Sequence, residues 1–390
     1  MGPGFTRSSP PKEGQLTKPD VALFMPNFAG GGAERVMINL AGGLQNLGLQ
    51  VDLVVACTAG PLKERVPPLV NVVDLNARST IRSLPALTKY LHSAGPDALL
   101  SALEHANVVA LWAAKRCGIA VRTVVSIHNT LSLDSARGGF KKRLEPWFVR
   151  RNYPKADGVV AVSQGVADDF SQFSRLSREL IHVILNPVIS AETLAKASEN
   201  PQHPWFSDGG PPVILGVGRL TEQKDFSMLI SAFARLREKR PVRLVIFGEG
   251  ELRPQLQTQV KSLGLGADIS LPGFDPNPYS AMRMAAIVAL SSNYEGLPTV
   301  LIEGLAAGAN MVSTDCPHGP REILHGGKLG RLVPGNDLEK FADAMFSALD
   351  EPIRSNDARD WKAYRIDVAS RHYAKLLLPG TNWDQLGVTP

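Results

Sequence analysis

The chain has 390 residues, of which 44% are hydrophobic and 20% are charged, and its formal net charge at pH 7 is +5. The length predicts two or three domains, each with its own core, and the composition is ordinary for a soluble globular protein. The three cysteines lie far apart without metal-ligand spacing, which excludes a disulfide framework and indicates buried thiols in a reducing compartment.

Charge is unevenly distributed along the chain. Residues 1–190 carry 21 Lys and Arg against 14 Asp and Glu, whereas residues 191–390 carry 21 against 23. The basic half predicts an anionic partner on that side. Nucleic acid is disfavoured, because single-strand binders interleave aromatic and basic residues in a platform that this sequence lacks. An anionic membrane surface or a pyrophosphate-linked lipid acceptor fits better, although no apolar run reaches the ~18 residues of a spanning helix.

The N-terminal half opens with a tail and a glycine-rich turn. Residues 1–18 are rich in Pro, Gly, Ser and Lys, lack the apolar stretch of a signal peptide, and are predicted to be disordered. A strand over Asp20–Met25, a turn over Pro26–Gly32, a helix from Ala33 and a strand over Val51–Cys57 form a predicted βαβ unit. Its glycines suit a close approach of the backbone to a ligand, but they lack the G-x-G-x-x-G spacing of dinucleotide sites.

Strands and helices continue to alternate as far as residue 190, which is typical of a parallel sheet. The strand over Thr123–Ile127 runs directly into His128, so this histidine is expected at a strand end that faces a cleft. A single histidine is more often a packing or capping residue, and that alternative stays open. The other elements predicted in this half are strands over Val70–Leu75, Ala98–Ser101, Gly158–Ser163 and Ile181–Leu185, and helices over Ile81–Ser93, Asn107–Cys117 and Gln164–Phe173.

The segment Phe140–Tyr153 (FKKRLEPWFVRRNY) mixes aromatic residues with five basic ones. Two interpretations remain open. The segment is either a helix whose aromatic face packs on its domain while its cations are solvated, or an acceptor-side helix that contacts an anionic membrane. Pro146 is expected to mark a break between two shorter helices.

The second half restarts the pattern after a Pro- and Gly-rich stretch over Ser198–Pro212, which is a credible linker. A strand over Val213–Val217 leads through the turn GRLTEQK into a helix over Phe226–Lys239. In that turn Arg219 and Lys224 precede a helix N-terminus, whose dipole favours acids, so solvated surface cations are the less favoured interpretation. The later predicted elements are strands over Arg243–Gly248, Ile269–Gly273, Ala285–Leu290, Asn310–Thr314 and Gly330–Val333, and helices ending at Leu263 and covering Leu338–Leu349 and Arg359–Leu378.

The segment SSNYEGLPTVLIEGLAAG, residues 291–308, organises the second half. It follows an apolar strand, turns at Gly296 and Leu297, and continues as a helix from Thr299, with Glu295 at the strand end and Glu303 in the helix. Ligands of open parallel sheets bind beyond the carboxyl ends of the strands, where a helix N-terminus attracts phosphate. Two carboxylates beside that helix can accept hydrogen bonds from sugar hydroxyls. The segment therefore predicts a nucleotide-sugar site.

Two motifs together resemble the retaining family 4 glycosyltransferases. They are Glu295 and Glu303, separated by seven residues as in the family's E-x7-E signature, and Arg219 with Lys224 in its G-R-L-x-x-x-K element. The resemblance covers nearly all of residues 20–378 and is strongest over 213–335. Gly304 stands where the family usually has alanine, and Asp225 where it usually has glycine. The first departure costs about 1 kcal/mol of helix propensity, and the second leaves the loop conformation open.

The resemblance implies an α/β architecture called GT-B, in which two Rossmann-like, doubly wound domains face each other across a cleft. After the disordered tail, the predicted divisions are an acceptor-binding domain over 19–190, a linker over 191–212, a nucleotide-sugar-binding domain over 213–358, and a C-terminal helix over 359–390 that returns to the first domain. We expect a cytoplasmic protein that binds peripherally at the inner face of the cell membrane.

The resemblance also implies roles for particular residues. Arg219 and Lys224 would hold the diphosphate and stabilise its charge as it departs, through charge-assisted hydrogen bonds worth about 1.5–3 kcal/mol each. Glu295 would bind the sugar hydroxyls, Glu303 the ribose, and His128 the sugar or its leaving diphosphate. The remaining substrate-binding candidates are Gly31, Gly32, Phe274, Gly296, Leu297 and Thr299.

The implied reaction transfers a hexose from a UDP- or GDP-sugar to a hydroxyl of a glycan or polyprenyl-linked acceptor, with retention of anomeric configuration. We expect front-face transfer in which the leaving phosphate accepts the acceptor's proton, and neither cofactor nor metal, since the sequence has no D-x-D. Bacterial envelope or exopolysaccharide assembly is the implied setting. The alternatives are a sugar-nucleotide epimerase on the same fold, which the paired motifs disfavour, and a non-catalytic partner subunit, which would lack the phosphate-binding residues.

Overall fold

The computed structural model describes residues 18–29, 31–136, 145–335, 337–355 and 357–383. Within them the chain forms two parallel sheets, each covered by helices. The first sheet contains β1 (Val21–Met25), β2 (Val51–Val55), β3 (Asn71–Asp74), β4 (Ala98–Ala102), β5 (Arg122–Ile127), β6 (Gly158–Ala161) and β7 (Ile181–Val183). The second contains β8 (Val213–Val217), β9 (Arg243–Phe247), β10 (Ile269–Gly273), β11 (Ile287–Leu290), β12 (Met311–Asp315) and β13 (Arg331–Pro334).

The helices follow the strands in near-regular alternation. Those of the first half are α1 (Gly32–Asn46), α2 (Leu84–Ala94), α3 (Glu104–Arg116), α4 (Leu131–Ala136), α5 (Glu145–Asn152), α6 (Gln164–Ser174) and α7 (Ala191–Ala197). Those of the second half are α8 (Phe226–Lys239), α9 (Arg253–Ser262), α10 (Pro278–Met284), α11 (Thr299–Ala306), α12 (Pro320–Ile323), α13 (Leu338–Asp350) and α14 (Ile366–Leu377). Every predicted strand is confirmed, with ends shifted by at most two residues.

Both sheets are doubly wound, as the sequence predicts. The strand order is β3-β2-β1-β4-β5-β6-β7 in the first sheet and β10-β9-β8-β11-β12-β13 in the second. The strands pair in parallel, and inner strands such as β1 and β4 are wholly buried because helices cover both faces, whereas the edge strand β3 is partly exposed. The order reverses between β1 and β4 in the first lobe and between β8 and β11 in the second, and ligands of such sheets bind at these switch points.

The chain crosses between the lobes twice. The segment predicted as a linker begins with α7, which packs on α10 of the second lobe and ties to it through a 2.7 Å hydrogen bond from Arg283 Nε to the Ala197 carbonyl. After the second lobe, α14 returns and packs on α1, confirming the predicted crossing. There Arg122 Nε donates a 2.9 Å hydrogen bond to the Leu376 carbonyl.

Helix α5 covers the described part of the predicted basic amphipathic segment. The N-terminal part of that segment, residues 140–144, lies in the stretch 137–144 that is outside the described residues. The helix buries Val149 and the following Tyr153, whereas Trp147 is 61% exposed and meets Phe148 edge to face. Trp147 is therefore mostly exposed and Phe148 partly so, which contradicts the packing interpretation for Trp147, while Phe140 and Leu144 lie outside the described residues. No helix of the described residues is long and apolar enough to cross a membrane.

Polar contacts between main chain and side chain close the lobes on each other. Thr130 Oγ1 donates to the Glu295 carbonyl at 2.7 Å, and Ser163 Oγ donates to the Gly296 carbonyl at 3.0 Å. Arg65 Nη2 donates to the Pro276 carbonyl at 3.0 Å. Each of these hydrogen bonds joins one lobe to the other. They hold the two lobes in contact, and the cavity between the lobes is lined by residues of both.

Candidate active site

One cavity between the lobes collects nearly all the residues singled out in the sequence. Phe274 is the exception. The first lobe contributes Gly31, Gly32, Ala33, Glu34, Arg35, Leu103, His128, Asn129 and Asn186, and the second contributes Val217, Gly218, Arg219, Gln223, Lys224, Glu295, Gly296, Leu297, Pro298, Thr299, Val300 and Glu303. The turn after β1 faces the turns after β8 and β11, because each follows a strand that borders a switch point.

The glycine-rich turn brings the start of α1 to the cavity. Gly31 is the N-cap of this helix, and a Cβ on Gly32 would meet no atom of the described residues within 4 Å. A Cβ on Gly31 would lie 2.3 Å from Glu34 Oε2, so the Glu34 carboxyl folds back against the turn. A carboxylate in the first turn of a helix is stabilised by the free N–H groups and the dipole. The same N–H groups are suited to other anions.

A buried ion pair joins the two motifs of the second lobe. Lys224 Nζ lies 2.5 Å from Glu295 Oε1, and Ser292 Oγ donates to the same oxygen at 2.6 Å. The side chains are only 16% and 7% exposed, which contradicts the interpretation of Lys224 as a solvated surface cation. Asp225, the residue that replaces the usual glycine, has φ of +44° and caps α8 by accepting a 3.1 Å hydrogen bond from the Met228 N–H. This left-handed conformation, which glycine adopts at no cost, is one that aspartate tolerates.

A second buried ion pair crosses the cleft, and its basic partner was not predicted from the sequence. Arg35 of α1 contacts Glu303 of α11 and also donates a 2.9 Å hydrogen bond to the Tyr279 hydroxyl. Glu303 is 2% exposed, and its carboxylate is the main cause that raises the pKa of Arg35 above its ordinary value. Burial raises the pKa of Tyr279, so its hydroxyl keeps its hydrogen. Arg35 therefore stays charged and links the predicted ribose-binding glutamate to the opposite lobe.

His128 lies at the end of β5, as predicted, and is 8% exposed. Its Nε2 lies 3.0 Å from Ser126 Oγ. Burial lowers the pKa of His128 to about 4, so the ring is neutral at ordinary pH. The second lobe approaches this residue closely, because a Cβ on Gly296 would lie 1.9 Å from the His128 carbonyl oxygen.

Phe274 lines an apolar pocket that adjoins the polar cavity. It is 61% exposed and lies near Leu62, Phe247 and Pro278. Arg219 borders both the pocket and the cavity. Its guanidinium has no ion pair within the described ranges, so it can bind an added anion without first losing a partner.

Thr299 and Leu297 complete the turn at the start of α11. Pro298 is the N-cap of this helix, and Leu297 is buried, while Thr299 at the first helical position is partly exposed to the cavity. Two helix N-termini thus open on the same space. Together with Arg219 and Lys224 they make the cavity suitable for an anion such as a diphosphate.

The described part of the chain has no group of three or more His, Cys, Asp or Glu side chains arranged to hold a metal ion. Two acids of the cavity, Glu295 and Glu303, pair with Lys224 and Arg35 instead. Sequence reasoning also missed the cavity residues Glu34, Asn129, Asn186 and Gln223. Glu34 and Arg35 directly follow the glycine-rich turn, and that adjacency was the signal available in the sequence.

Both halves of the chain match family models of known enzymes. Residues 30–192 match the model described as Glycosyltransferase Family 4, and residues 198–366 match the model described as Glycosyl transferases group 1. The two matches divide at the crossing between the lobes. Each therefore covers most of one sheet with its helices, and β1 lies before the start of the first match.

Curated relatives and solved structures match nearly the whole chain. The N-acetylgalactosamine-N,N'-diacetylbacillosaminyl-diphospho-undecaprenol 4-alpha-N-acetylgalactosaminyltransferase of Campylobacter jejuni is 29% identical over 361 residues, which are 90% of this chain and 94% of the relative. A second transferase of that organism adds N-acetyl-D-galactosamine to a diNAcBac-PP-undecaprenol glycan. It is 25% identical over 374 residues, which are 92% of this chain and 98% of that relative. The crystal structure of HepE from Anabaena, in complex with UDP and glucose, superposes with a TM-score of 0.76 at 19% identity, over 92% of this chain and 99% of that one.

Proposed function

Because the chain belongs to the family 4 glycosyltransferases with the GT-B fold, we propose that it moves a hexose from a UDP- or GDP-sugar to a glycan or polyprenyl-linked hydroxyl, with retention at the anomeric carbon. The observation that carries this proposal is the cavity in which Glu295 and Glu303 face cations and two helix N-termini. This set of groups matches a nucleotide diphosphate sugar part by part.

The donor is assigned to the cavity by chemistry. The apolar pocket beside Phe274 suits a nucleobase, since aromatic and aliphatic walls accept its flat faces. Arg35 lines both that pocket and the polar cavity and pairs with Glu303, so Glu303 suits the ribose hydroxyls. Arg219 with Lys224 suits the diphosphate. Glu295 and His128 are then left for the hexose. The HepE structures contain UDP, UDP with glucose, and UDP-glucose, which favours a uridine donor.

The proposed chemistry is a front-face transfer. Negative charge builds on the diphosphate as the glycosidic bond breaks, and Arg219, Lys224 and the start of α11 stabilise that charge. The leaving phosphate oxygen accepts the proton of the attacking hydroxyl on the same face of the sugar, so the anomeric configuration is retained. Fixed cations then supply the charge compensation, and activity is expected without a divalent ion.

The acceptor side is assigned to the first lobe. Two relatives act on undecaprenol-linked glycans, which supports a lipid-linked acceptor and a role in bacterial envelope or exopolysaccharide assembly. Desolvation, followed by the charges of Arg151 and Lys115, lowers the pKa of Lys155. The exposed Trp147 precedes Arg151 by one turn of α5. We assign this basic and aromatic surface to the anionic inner face of the cell membrane, where each cation contributes about 1 kcal/mol.

Mass-spectrometric screening of UDP- and GDP-sugars tests the function, with hydrolysis counted as turnover and EDTA present in a parallel set. We expect one donor class to be consumed at the same rate with and without EDTA, and proton NMR of the product to show retention. An isomerised sugar nucleotide formed from the donor alone would instead support an epimerase. Loss of turnover in EDTA would contradict transfer without a metal.

Gly32→Ala is expected to lower the transfer rate at least tenfold while leaving the melting temperature unchanged. Among the described residues the new methyl group meets no atom within 4 Å, and Gly32 lines the cavity where the backbone should approach the donor, so the methyl group would compete with the donor for that space. Steady-state kinetics and thermal unfolding are the measurements. Gly266→Ala, whose surroundings are equally open but outside the cavity, is the control. An unchanged rate in Gly32→Ala would remove this turn from the donor site.

The double variant Arg151→Ala and Lys155→Ala should weaken binding to vesicles. Losing two cations at about 1 kcal/mol each predicts a drop of about thirtyfold in the partition coefficient onto vesicles that contain phosphatidylglycerol. Co-sedimentation measures it. Lys261→Ala with Lys328→Ala removes the same charge from exposed positions of the second lobe and should bind like the wild type. Equal losses in both double variants would show a non-specific effect of net charge.

A further inference from the structure

A buried chain of hydrogen bonds leads from the C-terminal helix to the histidine of the cavity. Ser126 Oγ lies 3.0 Å from His128 Nε2 and 3.3 Å from the Tyr373 hydroxyl of α14. Ser126, His128 and Tyr373 are 0%, 8% and 1% exposed, respectively. Water is therefore excluded from the hydroxyls, and their hydrogens must find partners within the chain.

The direction of each of these hydrogen bonds follows from counting the hydrogens that the three side chains can donate. Each hydroxyl has one hydrogen to donate, and a neutral imidazole has one nitrogen that donates and one that accepts. Within the described ranges, Tyr373 has Ser126 Oγ as its hydrogen-bond partner, and Ser126 Oγ has Tyr373 and His128. If Tyr373 donates to Ser126 and Ser126 donates to His128 Nε2, both hydroxyl hydrogens are paired.

Every other arrangement leaves one buried hydrogen unpaired. Suppose instead that His128 Nε2 carries the ring hydrogen and donates it to Ser126 Oγ. If Ser126 then donates to Tyr373, the Tyr373 hydroxyl hydrogen has no acceptor. If Tyr373 donates to Ser126, the Ser126 hydroxyl hydrogen has none. An unpaired buried polar group is costly, and structures avoid it. The ring hydrogen consequently belongs on Nδ1.

We propose that Ser126, with Tyr373 behind it, is a positioning residue that fixes His128 as the Nδ1–H tautomer, so that the histidine presents a hydrogen-bond donor to the cavity. Nδ1 has no partner within the described ranges, and the residue lines the cavity. This tautomer assignment rests on the proposed function where it concerns substrate: His128 then donates, as a neutral ring, a hydrogen bond to an oxygen of the hexose or the diphosphate. It does not accept the acceptor's proton at that nitrogen, which agrees with the front-face route.

The lowered pKa of His128 supports the neutral state, because burial disfavours the imidazolium. A neutral donor keeps its role over the whole working pH range. A general base would gain or lose its function as it titrates. The tautomer, not the charge, is then the property that Ser126 controls.

Nitrogen NMR of the protein labelled with 15N-histidine tests the tautomer without any substrate, and His128→Gln identifies the signals of His128. We expect a protonated Nδ1 and an unprotonated Nε2 in the wild type. Ser126→Ala should shift the ring towards Nε2–H and lower the transfer rate about tenfold. Tyr373→Phe removes a hydroxyl from the same chain but leaves the Ser126 donor in place, so it should keep the Nδ1–H tautomer.

A protonated Nε2 in the wild type would overturn the inference, as would an unchanged tautomer in folded Ser126→Ala. The wild-type spectrum alone distinguishes the two tautomers, even if Ser126→Ala fails to fold. Because the spectrum needs no donor or acceptor, an inactive wild type would contradict the proposed function while the tautomer assignment stood on its own evidence.

Discussion

Lys224→Ala is expected to lower the transfer rate at least tenfold, and by up to about a hundredfold for each hydrogen bond lost. The ammonium supplies charge-assisted hydrogen bonds worth about 1.5–3 kcal/mol each, and every 1.4 kcal/mol lost in the transition state is a factor of about ten in rate. Its position 2.5 Å from Glu295 Oε1 adds a second cause, because the alanine variant leaves that carboxylate free to repel the diphosphate. The expected loss is in kcat more than in the donor's KM, since the charge on the diphosphate grows as the bond breaks.

The same variant should cost about 1–3 kcal/mol of unfolding free energy. Removing one partner of a fully buried pair costs about 3–5 kcal/mol, and this pair is slightly exposed. Adding Glu295→Gln to Lys224→Ala removes the unpaired charge, so the double variant should regain stability without regaining activity. Urea unfolding and steady-state kinetics of the two single variants and the double variant separate the effects. An active Lys224→Ala would remove this lysine from the site.

Most of the strands could be predicted because they are short and largely apolar, although Asp52 interrupts β2 and polar residues form both ends of β3. Both faces of a doubly wound sheet are covered, so strands such as Val213–Val217 and Ile269–Gly273 carry no charged interruption that would blur their ends. The convergence of Lys224 and Glu295 was also predictable, since both follow strands that border a switch point. Sequence order and one topological rule were sufficient for these features.

Features that depend on the meeting of the lobes could not be predicted. Arg35 and Glu303 are 268 positions apart, and a basic residue in the first turn of a helix has no local sign of a partner. The helices Ala191–Ala197 and Pro278–Met284 were missed for a related reason. Helices of seven residues are unstable alone, and these two are stabilised by packing on each other.

Closure of the lobes brings the site together, and one glycine controls how near they come. Gly296 belongs to the turn that bears Glu295, and its carbonyl oxygen accepts a 3.0 Å hydrogen bond from Ser163 Oγ of the other lobe. A Cβ at this position would lie 1.9 Å from the His128 carbonyl oxygen and 2.7 Å from its carbonyl carbon. Both are main-chain atoms, which cannot turn aside as a side chain would.

Gly296→Ala is therefore expected to hold the lobes apart and lower transfer at least a hundredfold. Donor groups on the second lobe would no longer meet His128 and the glycine-rich turn, and a misplacement of about 1 Å can cost a hundredfold in rate. Nucleotide binding should fall much less, because Arg219, Lys224 and Glu303 remain on the second lobe. Small-angle scattering should show a larger radius of gyration, isothermal calorimetry should report UDP affinity, and kinetics should report the rate.

Gly304→Ala is the matched control, because it makes the same change in the same segment. Its Cβ would meet the flexible end of Met311, with the sulfur at 3.0 Å, and would gain up to about 1 kcal/mol of helix propensity. We expect wild-type scattering and activity from it. If Gly296→Ala kept its activity, the lobes would have room to spare at this contact, and the catalytic geometry could not depend on their closest approach.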